Sequence, residues 1–310
     1  MYPLRFEPVY QSYVWGGRRI ASFFSRKTDL PKIAESWEIS DRKEGMSVVA
    51  NGSFKDKTLH QLVLEMKEEL LGIGRQFDNF PILTKIIDAN QNLSIQVHPD
   101  QATALSLKGE PKAEMWVMLD DGVVLAGMKE GIGKKEFKTA IQENRAEECL
   151  QKWELKKGEA IDIPGGRIHA ICAGSLIYEV QQNSDTTYRL YDWGRSRPLH
   201  LKEGFSAICW EDRSVDKLGL RHLSSDAHHQ LVLLDATPFF IVERIDIFNE
   251  YRLGPILKSF QIFFCIEGQA QIEVDGCAEP FKAGMTYLVP AAAKIIHFLG
   301  KCQALRVYLS

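Results

Sequence analysis

The feature that most constrains the fold is a repeated spacing of glycine and proline. Gly158 precedes Pro164 by six residues, and Gly284 precedes Pro290 by the same interval, at an offset of 126 residues from the first copy. Short runs rich in β-branched and aromatic residues surround both copies, and those that follow the first recur about every ten residues, as in sandwiches and barrels. The sequence therefore predicts a mainly β protein that contains two related β-barrels.

Two domains follow from this repeat. We expect residues 1–215 to form an N-terminal domain that carries the catalytic groups, and residues 216–310 to form a degenerate C-terminal copy without a metal site. The second copy offers His297 seven residues after its proline, but neither a Gln-x-His pair nor a glutamate partner precedes it. The later part of the polar stretch 195–230 is the predicted connection between the domains.

A helical segment at about residues 56–72 interrupts the first domain. Thr58 and Gln61 have the spacing of a capping box, and Gly72 stands where a helix commonly ends. A single apolar stripe along the segment is formed by Leu59, Leu62, Val63, Met66 and Leu70. The pattern predicts one amphipathic helix that packs against the sheets.

Composition argues against several classes of protein. The 310 residues carry 38 basic and 41 acidic side chains, a net charge of −3, so no strong field favours nucleic acid or an anionic membrane as a partner. No stretch approaches the ~18 apolar residues of a membrane span and the first residues lack a signal-peptide pattern, so we expect a cytoplasmic location. The six cysteines have no C-x-x-C spacing and are expected to be reduced thiols.

Four side chains of the first domain have the chemistry of a metal site. Gln96 and His98 are two positions apart on a predicted strand, so both project from the same face. His169 follows Pro164 and a Gly-Gly turn, and Glu114 lies in a further predicted strand. Two imidazoles, a carboxylate and an amide oxygen, with coordination positions left open, suit Zn²⁺ or another divalent first-row metal in a catalytic role. On spacing alone, ordinary core histidines remain the alternative.

Several segments taken together resemble known families. Gly158-x5-Pro164-x-Gly166-x-x-His169 is similar to the second motif of cupins. A resemblance to type I mannose-6-phosphate isomerases (phosphomannose isomerases), in their short bacterial form, rests on Trp15-Gly-Gly17, Glu35-Ser-Trp-Glu-Ile-Ser40, Gln96-x-His98-Pro99, Lys112-x-Glu114 and the stretch from Gln182 to Trp193. The matching segments extend from about residue 8 to 200, with a degenerate cupin behind them.

This resemblance implies two cupin-type β-barrels (jelly rolls), of which only the first binds metal, with one Zn²⁺ per chain. The implied zinc ligands are Gln96, His98, Glu114 and His169. The implied reaction interconverts mannose 6-phosphate and fructose 6-phosphate by proton transfer between C2 and C1 through an enediol.

The same resemblance implies an active-site arginine at Arg189 and an active-site lysine at Lys112. A permanently charged guanidinium can share the charge of the enediolate or position the sugar. Lys112 and a carboxylate near the site are rival candidates for the proton-transfer base. Longer family members carry a histidine where this chain has Pro111, so any role of that histidine is lost here.

Other residues allow more than one interpretation. Candidates for binding the phosphate are Lys85, Arg18 and Arg195. Tryptophans that fit either a sugar pocket or the core are Trp15, Trp37 and Trp193. Asp185 and Asp192 fit turns that shape the loop carrying Arg189.

Two other functions stay open on this reasoning. Two histidines and a carboxylate around Fe(II) form the facial triad of a cupin dioxygenase, and a cupin without a catalytic base would be a non-catalytic sugar-binding protein. Gln96, Lys112 and Arg189 favour the isomerase, because they suit an anionic sugar and an enediolate. The expected partner is a small-molecule sugar phosphate, with no nucleic acid, membrane or protein partner inferred.

Overall fold

A computed structural model describes residues 1–212, 215 and 217–310, and it confirms a mainly β protein. The strands are β1 (Leu4–Arg5), β2 (Val9–Gln11), β3 (Glu35–Ile39), β4 (Ile82–Asp88), β5 (Ile95–Val97), β6 (Glu114–Met118), β7 (Gly122–Met128), β8 (Leu150–Leu155), β9 (Ala160–Ile163), β10 (His169–Ile171), β11 (Leu176–Gln182), β12 (Tyr188–Tyr191), β13 (Arg221–Ser225), β14 (His229–Ala236), β15 (Ile241–Ile247), β16 (Glu250–Leu253), β17 (Gln261–Val274), β18 (Cys277–Lys282), β19 (Thr286–Val289) and β20 (Ile296–Tyr308). The α-helices are α1 (Arg19–Phe23), α2 (Leu59–Met66), α3 (Glu68–Leu71), α4 (Gln101–Leu107), α5 (Lys134–Gln142) and α6 (Leu201–Ala207). Short 3₁₀ turns lie at Gly52–Phe54 and Ala146–Cys149.

The chain divides into two compact units. One unit consists of residues 1–9, 37–83 and 219–310, and the other of residues 10–36 and 84–218. The first is therefore assembled from three separate stretches of sequence. The predicted division into domains of residues 1–215 and 216–310 stays a prediction.

The candidate site lies in a sandwich of two β-sheets. One sheet has the strand order β12-β5-β10-β7-β8, and the other has the order β2-β3-β4-β11-β6-β9. Apolar side chains from both sheets form one buried cluster, which includes Val124 and Ile171 from the first sheet and Trp116 and Ile177 from the second. The site lies between these two sheets because the side chains that compose it project into the same interior.

The other unit is built on a nine-stranded antiparallel sheet. Its main path is β1-β19-β17-β20-β15-β14-β13, with β16 on β20 and β18 on β17. A bulge between Cys265 and Glu267 interrupts the long pairing of β17 with β20. A bulge bends a strand and increases its twist, which allows one long strand to serve a curved sheet. The buried cluster of this unit is rich in aromatic residues, including Phe263, Phe281 and Phe298.

The predicted helix at residues 56–72 forms, but as two helices rather than one. The capping box of Thr58 and Gln61 is present, and the predicted apolar stripe is buried. The helix ends at Lys67, which has a φ of 48°, and α3 then begins at Glu68. In α3, the carbonyls of Glu69 and Leu70 accept hydrogen bonds from the backbone of Ala292 and Ala291, so residues distant in sequence contact this second helix.

Several other expectations can be compared with the structure. Trp15 and Trp37 are buried, and Trp15 belongs to the apolar cluster between the sheets, which favours the core interpretation. Trp193 is partly buried and donates a hydrogen bond to the carbonyl of Leu93. All six cysteines are free thiols, as predicted. Within the described residues, no helix has the length and apolar content needed to cross a membrane.

Candidate active site and metal centre

One row of side chains crosses three neighbouring strands of the first sheet. His169 of β10 and Arg189 of β12 both pair directly with Gln96 of β5. Directly paired residues of antiparallel strands project from the same face, and so does His98, two positions after Gln96. Strand register therefore brings His98, Gln96, His169 and Arg189 to the same interior surface.

The carboxylate of the predicted set comes from the facing sheet. Glu114 is the first residue of β6, where it pairs with Gln181 of β11 and Ile163 of β9. Its Oε1 atom lies 3.3 Å from Nε2 of His98, and its Oε2 atom lies 3.8 Å from Nε2 of His169. His98, Glu114 and His169 are all buried, with ligand atoms within 4.8 Å of one another.

Both imidazoles are held in one orientation. Nδ1 of His98 lies 2.7 Å from the carbonyl oxygen of Thr186, and Nδ1 of His169 lies 2.9 Å from that of Arg167. A carbonyl can only accept, so each Nδ1 is the protonated nitrogen and each Nε2 carries a free electron pair. This is the arrangement in which histidines bind metals through Nε2.

The atoms that converge on this point are not satisfied by the protein itself. Among the described residues, neither Nε2 of His98 nor Oε2 of Glu114 has a hydrogen-bond partner of acceptable geometry. Buried polar atoms without partners are rare and commonly mark a ligand or ion. The donor set of two imidazole nitrogens and a carboxylate oxygen fits a divalent first-row metal.

Gln96 is the fourth predicted ligand, and the structure places it at the edge of this cluster. Its Nε2 atom lies 3.4 Å from Nε2 of His169, while its Oε1 atom accepts a hydrogen bond of 3.0 Å from Ser94. An amide binds a metal through oxygen, so Gln96 would have to turn its amide over to act as a ligand.

Local electrostatics favour the deprotonated form of each ligand. Burial lowers the pKa of His169 to about 3, with a smaller contribution from His98, and burial together with the charge of Lys112 lowers the pKa of His98. Burial alone would raise the pKa of Glu114, but Lys112 and His98 outweigh it and hold this pKa well below its usual range. Nζ of Lys112 lies 2.8 Å from Oε1 of Glu114. The predicted lysine therefore lies beside the carboxylate of the candidate metal site.

The Gly-Gly turn before His169 has no room for side chains. A Cβ atom at Gly165 would lie 2.6 Å from Cα of Asp100, and Gly166 has a φ of 91°, which favours glycine. The backbone N–H of Gly166 donates to the carbonyl of His98 at 2.8 Å. The turn thus fixes the segment carrying His169 directly against the segment carrying His98.

Arg189 lies in the same row but is held by other groups. Its Nη1 donates to the carbonyl of Pro198 at 2.9 Å, while its buried Nε has no partner among the described residues. Burial lowers its pKa, followed by the repulsion of Arg197. Asp192 binds the guanidinium groups of both Arg195 and Arg197, so it organises the arginine-rich loop, as its sequence position predicted.

A second charged group in this interior was not assigned a catalytic role by sequence analysis. Lys85 of β4 lies 3.5 Å from Glu35 and 3.4 Å from Glu179, and all three are buried. Burial raises the pKa of Glu179 to about 7, with a further contribution from Glu114. Trp116 donates to Glu179 at 2.8 Å. The available signal was a charged side chain among apolar neighbours in each of two strands, β4 and β11.

The remaining histidines are not gathered in the same way. Nε2 of His297 in the second copy lies 3.2 Å from Oε2 of Glu250. In the parts of the chain that the structure describes, His98, Glu114 and His169 form the one cluster with metal-binding distances. Arg18 is exposed on the surface, and Arg195 is committed to Asp192 and to the carbonyl of Asn92.

Comparisons with known proteins agree with this architecture. The model of the phosphomannose isomerase type I catalytic domain matches residues 3–116, and the model of the mannose-6-phosphate isomerase cupin domain matches residues 231–309. Mannose-6-phosphate isomerase ManA of Bacillus subtilis is 35% identical over 305 residues, which cover 93% of each chain. Mannose-6-phosphate isomerase of Streptococcus mutans is 32% identical over 313 residues, which cover 97% of this chain and 96% of that protein.

Solved structures give the same result. The crystal structure of the mannose 6-phosphate isomerase from Bacillus subtilis has a TM-score of 0.91 at 30% identity, and the match covers 99% of both chains. A phosphomannose isomerase from Salmonella typhimurium has a TM-score of 0.80 at 17% identity and 99% coverage of both chains, which supports the fold alone. The expectation of a cupin-type fold is confirmed. By full-length sequence identity and by fold, this chain belongs to the type I mannose-6-phosphate isomerase family.

Proposed function

We propose that this protein is a metal-dependent aldose–ketose isomerase that interconverts mannose 6-phosphate and fructose 6-phosphate. The observation that carries the proposal is the convergence of two imidazole nitrogens and a carboxylate in a buried site, with Lys112 beside them at 2.8 Å from Glu114. Family membership supports the substrate, because the named relatives are mannose-6-phosphate isomerases.

We propose Zn²⁺, one per chain, as the metal. His98, Glu114 and His169 would hold it, and Gln96 would complete the set through its amide oxygen. When bound, such a cation is a Lewis acid for sugar oxygens. The buried location excludes bulk water, which strengthens the electrostatic interactions of a reacting sugar with the protein.

Two residues of the chain, Lys112 and Arg189, carry out the remaining steps of the reaction. Lys112 acts as the base that takes the proton from C2 and returns it to C1, while the hydroxyl proton moves in the same direction, from the C2 oxygen to the C1 oxygen. Arg189 orients the sugar and shares the negative charge of the enediolate. Only an unprotonated amine can accept this proton.

Glu179 is the rival base. Its pKa of about 7 lies where general bases work best, and it is directed to the same interior by its pairing with Trp116. Lys85 and Trp116 already hold its carboxylate, whereas Lys112 contacts the metal-binding residue itself. This difference favours Lys112, and a variant of each residue distinguishes the two assignments.

A coupled assay for fructose 6-phosphate tests the activity. Purified protein is assayed with mannose 6-phosphate as isolated, after chelation, and after Zn²⁺ is restored. We expect activity to disappear on chelation and to return with Zn²⁺. Absence of turnover with Zn²⁺ restored would contradict the proposal.

A pair of variants tests the site. His169→Ala should lose both metal and activity, because it removes one of the converging nitrogens. His222→Ala is the matched control, since His222 is exposed on β13. A His169→Ala protein that kept its metal and full rate would disprove the assignment. Oxygen consumption with Fe(II) in the same preparations would instead support a dioxygenase. The cytoplasmic location stays a prediction.

A further inference from the structure

The side chain of Arg167 is a buried charge that the proposed reaction does not use. It lies two residues before His169 and is 6% exposed. Its Nε and Nη2 atoms bind the two carboxylate oxygens of Asp212 at 2.7 and 3.0 Å, and its Nη1 donates to the carbonyl of Asp162 at 2.8 Å. Such a bidentate pair with a third hydrogen bond fixes the position of a guanidinium in all directions.

The backbone of Arg167 makes a separate contact with the metal site. Its carbonyl oxygen accepts the hydrogen bond from Nδ1 of His169 at 2.9 Å, and this bond leaves Nε2 of His169 free to face Glu114. The side chain of Arg167 is therefore anchored to Asp212, while its backbone carbonyl binds the imidazole of His169. A displacement of Arg167 would also displace the acceptor that selects the tautomer of His169.

Two flanking segments complete the anchor. The N–H of Cys209 donates to the carbonyl of Gly166 at 2.9 Å, and the N–H of Asp212 donates to the carbonyl of Cys209 at 3.2 Å. The carboxylate that binds Arg167 is thus part of a segment that already holds the Gly-Gly turn. On the opposite side, Gly166 donates to His98. The Gly-Gly turn is therefore held by hydrogen bonds to Cys209 on one side and to His98 on the other, and the ion pair of Arg167 with Asp212 adds to these contacts.

We propose that Arg167, anchored by Asp212, is a positioning residue of the metal site. Arg167 holds His169 in the tautomer and the orientation that present Nε2 to the metal. This inference rests on the proposed metal-dependent function. Hydrogen-bond partners of metal-binding histidines commonly contribute roughly 10- to 100-fold to metal affinity. A purely structural ion pair would stabilise the fold without changing that affinity.

Zinc affinity separates the two roles. Chelator-treated wild type, Arg167→Met and Asp212→Asn are titrated with Zn²⁺ against a fluorescent chelator, and thermal unfolding is followed in parallel. Glu243→Gln is the matched control, because it breaks another buried pair, with Nη1 of Arg306 at 2.9 Å, in the unit that lacks the site. We expect both site variants to bind Zn²⁺ roughly 10- to 100-fold more weakly. The control should lose thermal stability and keep its affinity.

A second measurement follows the imidazole itself. Spectra of ¹⁵N-histidine-labelled protein report which ring nitrogen carries the proton, and His169→Gln assigns the signal. We expect Asp212→Asn to populate the Nε2-protonated tautomer of His169, which is the form that cannot bind metal through Nε2.

Site variants with lowered thermal stability but wild-type zinc affinity and tautomer would overturn the inference. Asp212→Asn keeps the shape of the side chain, so it serves if Arg167→Met fails to fold. A wild-type protein that binds no Zn²⁺ would contradict the proposed function as well. Normal binding by the wild type and by both variants would contradict this inference alone.

Discussion

Charged residues in the interior of the sandwich form pairs of opposite charge. Lys112 contacts Glu114, and Lys85 lies between Glu35 and Glu179. Two lysines thus face three carboxylates, which leaves one carboxylate in excess. The raised pKa of Glu179 is the physical result, because burial and the charge of Glu114 both favour its protonated form. A bound divalent cation would supply the missing positive charge.

Replacing Lys112 tests the base at the scale of one side chain. Lys112→Met keeps the apolar stem and removes the amine. We expect kcat/KM to fall by roughly 10²- to 10⁴-fold, the usual contribution of a general acid or base. Steady-state assays with Zn²⁺ present give the value, and Lys152→Met, at an exposed site on β8, is the control. If the kcat/KM of Lys112→Met is within threefold of the wild-type value, Lys112 is not the base and the role of base is assigned to Glu179.

Glu179 also predicts a pH dependence of stability. Its pKa is about 7 in the folded protein and ordinarily 4.5, so between these values the folded state binds more protons than the unfolded state. Stability contributed by Glu179 is therefore present below about pH 4.5, is lost as pH rises through 7, and stays constant above that. The upper limit of this loss is on the order of 3 kcal/mol.

The measurement compares wild type with Glu179→Gln by urea unfolding of chelator-treated protein at pH 5 and pH 8. His98 and His169 produce the opposite trend in both proteins, so only the difference between the proteins reports Glu179. We expect Glu179→Gln to lose less stability on going to pH 8. Equal changes in the two proteins would show that Glu179 titrates normally.

At the scale of secondary structure, local patterns predicted some elements well and others not at all. The shared face of Gln96 and His98 follows from strand alternation alone. Their pairing with His169 and Arg189 does not, because register between strands that are distant in sequence leaves no local pattern. Residue chemistry grouped His169 with Gln96 and His98, and only the family resemblance added Arg189. The break of the first long helix was missed because it falls at Lys67, with a φ of 48°, and not at a glycine or proline that would mark a helix end.

The charged group around Lys85 shows a different limit. Its residues were visible in the sequence as polar members of apolar strands, but a buried lysine and an exposed one look alike until the partners are known. Glu35 and Glu179 come from two other strands, β3 and β11. Sequence reasoning named Lys85 as a phosphate candidate, whereas the structure commits it to these two carboxylates.

The Gly-Gly turn gives a prediction at this scale. Gly165→Ala places a methyl group 2.6 Å from Cα of Asp100, a backbone atom that cannot move aside without disturbing the segment after His98. Overpacking of this kind costs about 1–3 kcal/mol. We expect a lower unfolding temperature and weaker Zn²⁺ binding, measured by calorimetry and chelator competition. Gly254→Ala is the control, with nothing within 4 Å of the added atom. Unchanged zinc affinity in Gly165→Ala would show that the turn does not position His169.

At the scale of the whole molecule, the repeat predicted two β-rich parts but not which other segments join the second one. Residues 1–9 and 37–83 belong to the same compact unit as residues 219–310. Within that unit, β1 pairs with β19 through Leu4 and Leu288. These contacts join residues separated by most of the chain, so no periodicity near either partner could reveal them.

Residues 1–9 and 37–83 also contact the segment that precedes β17. The rings of Phe80 and Phe260 lie 4.4 Å apart, and both side chains are fully buried. Ile73 donates its backbone N–H to the carbonyl of Leu257. Without residues 1–83, the ring of Phe260 and the backbone edge of β19 would face water. Exposed apolar surface and unpaired strand edges both promote aggregation.

A fragment of residues 216–310 therefore tests the predicted domain boundary. We expect it to aggregate or to unfold without a cooperative transition, because it lacks β1 and Phe80. Co-expression with residues 1–83 should increase the soluble yield of the fragment. Residues 1–83 with Phe80→Ala should increase that yield less, because a buried Phe→Ala change costs about 3–5 kcal/mol. Soluble yield and the sharpness of thermal unfolding measure the outcome. A lone 216–310 fragment that is monomeric and unfolds cooperatively would establish an autonomous domain beginning at residue 216.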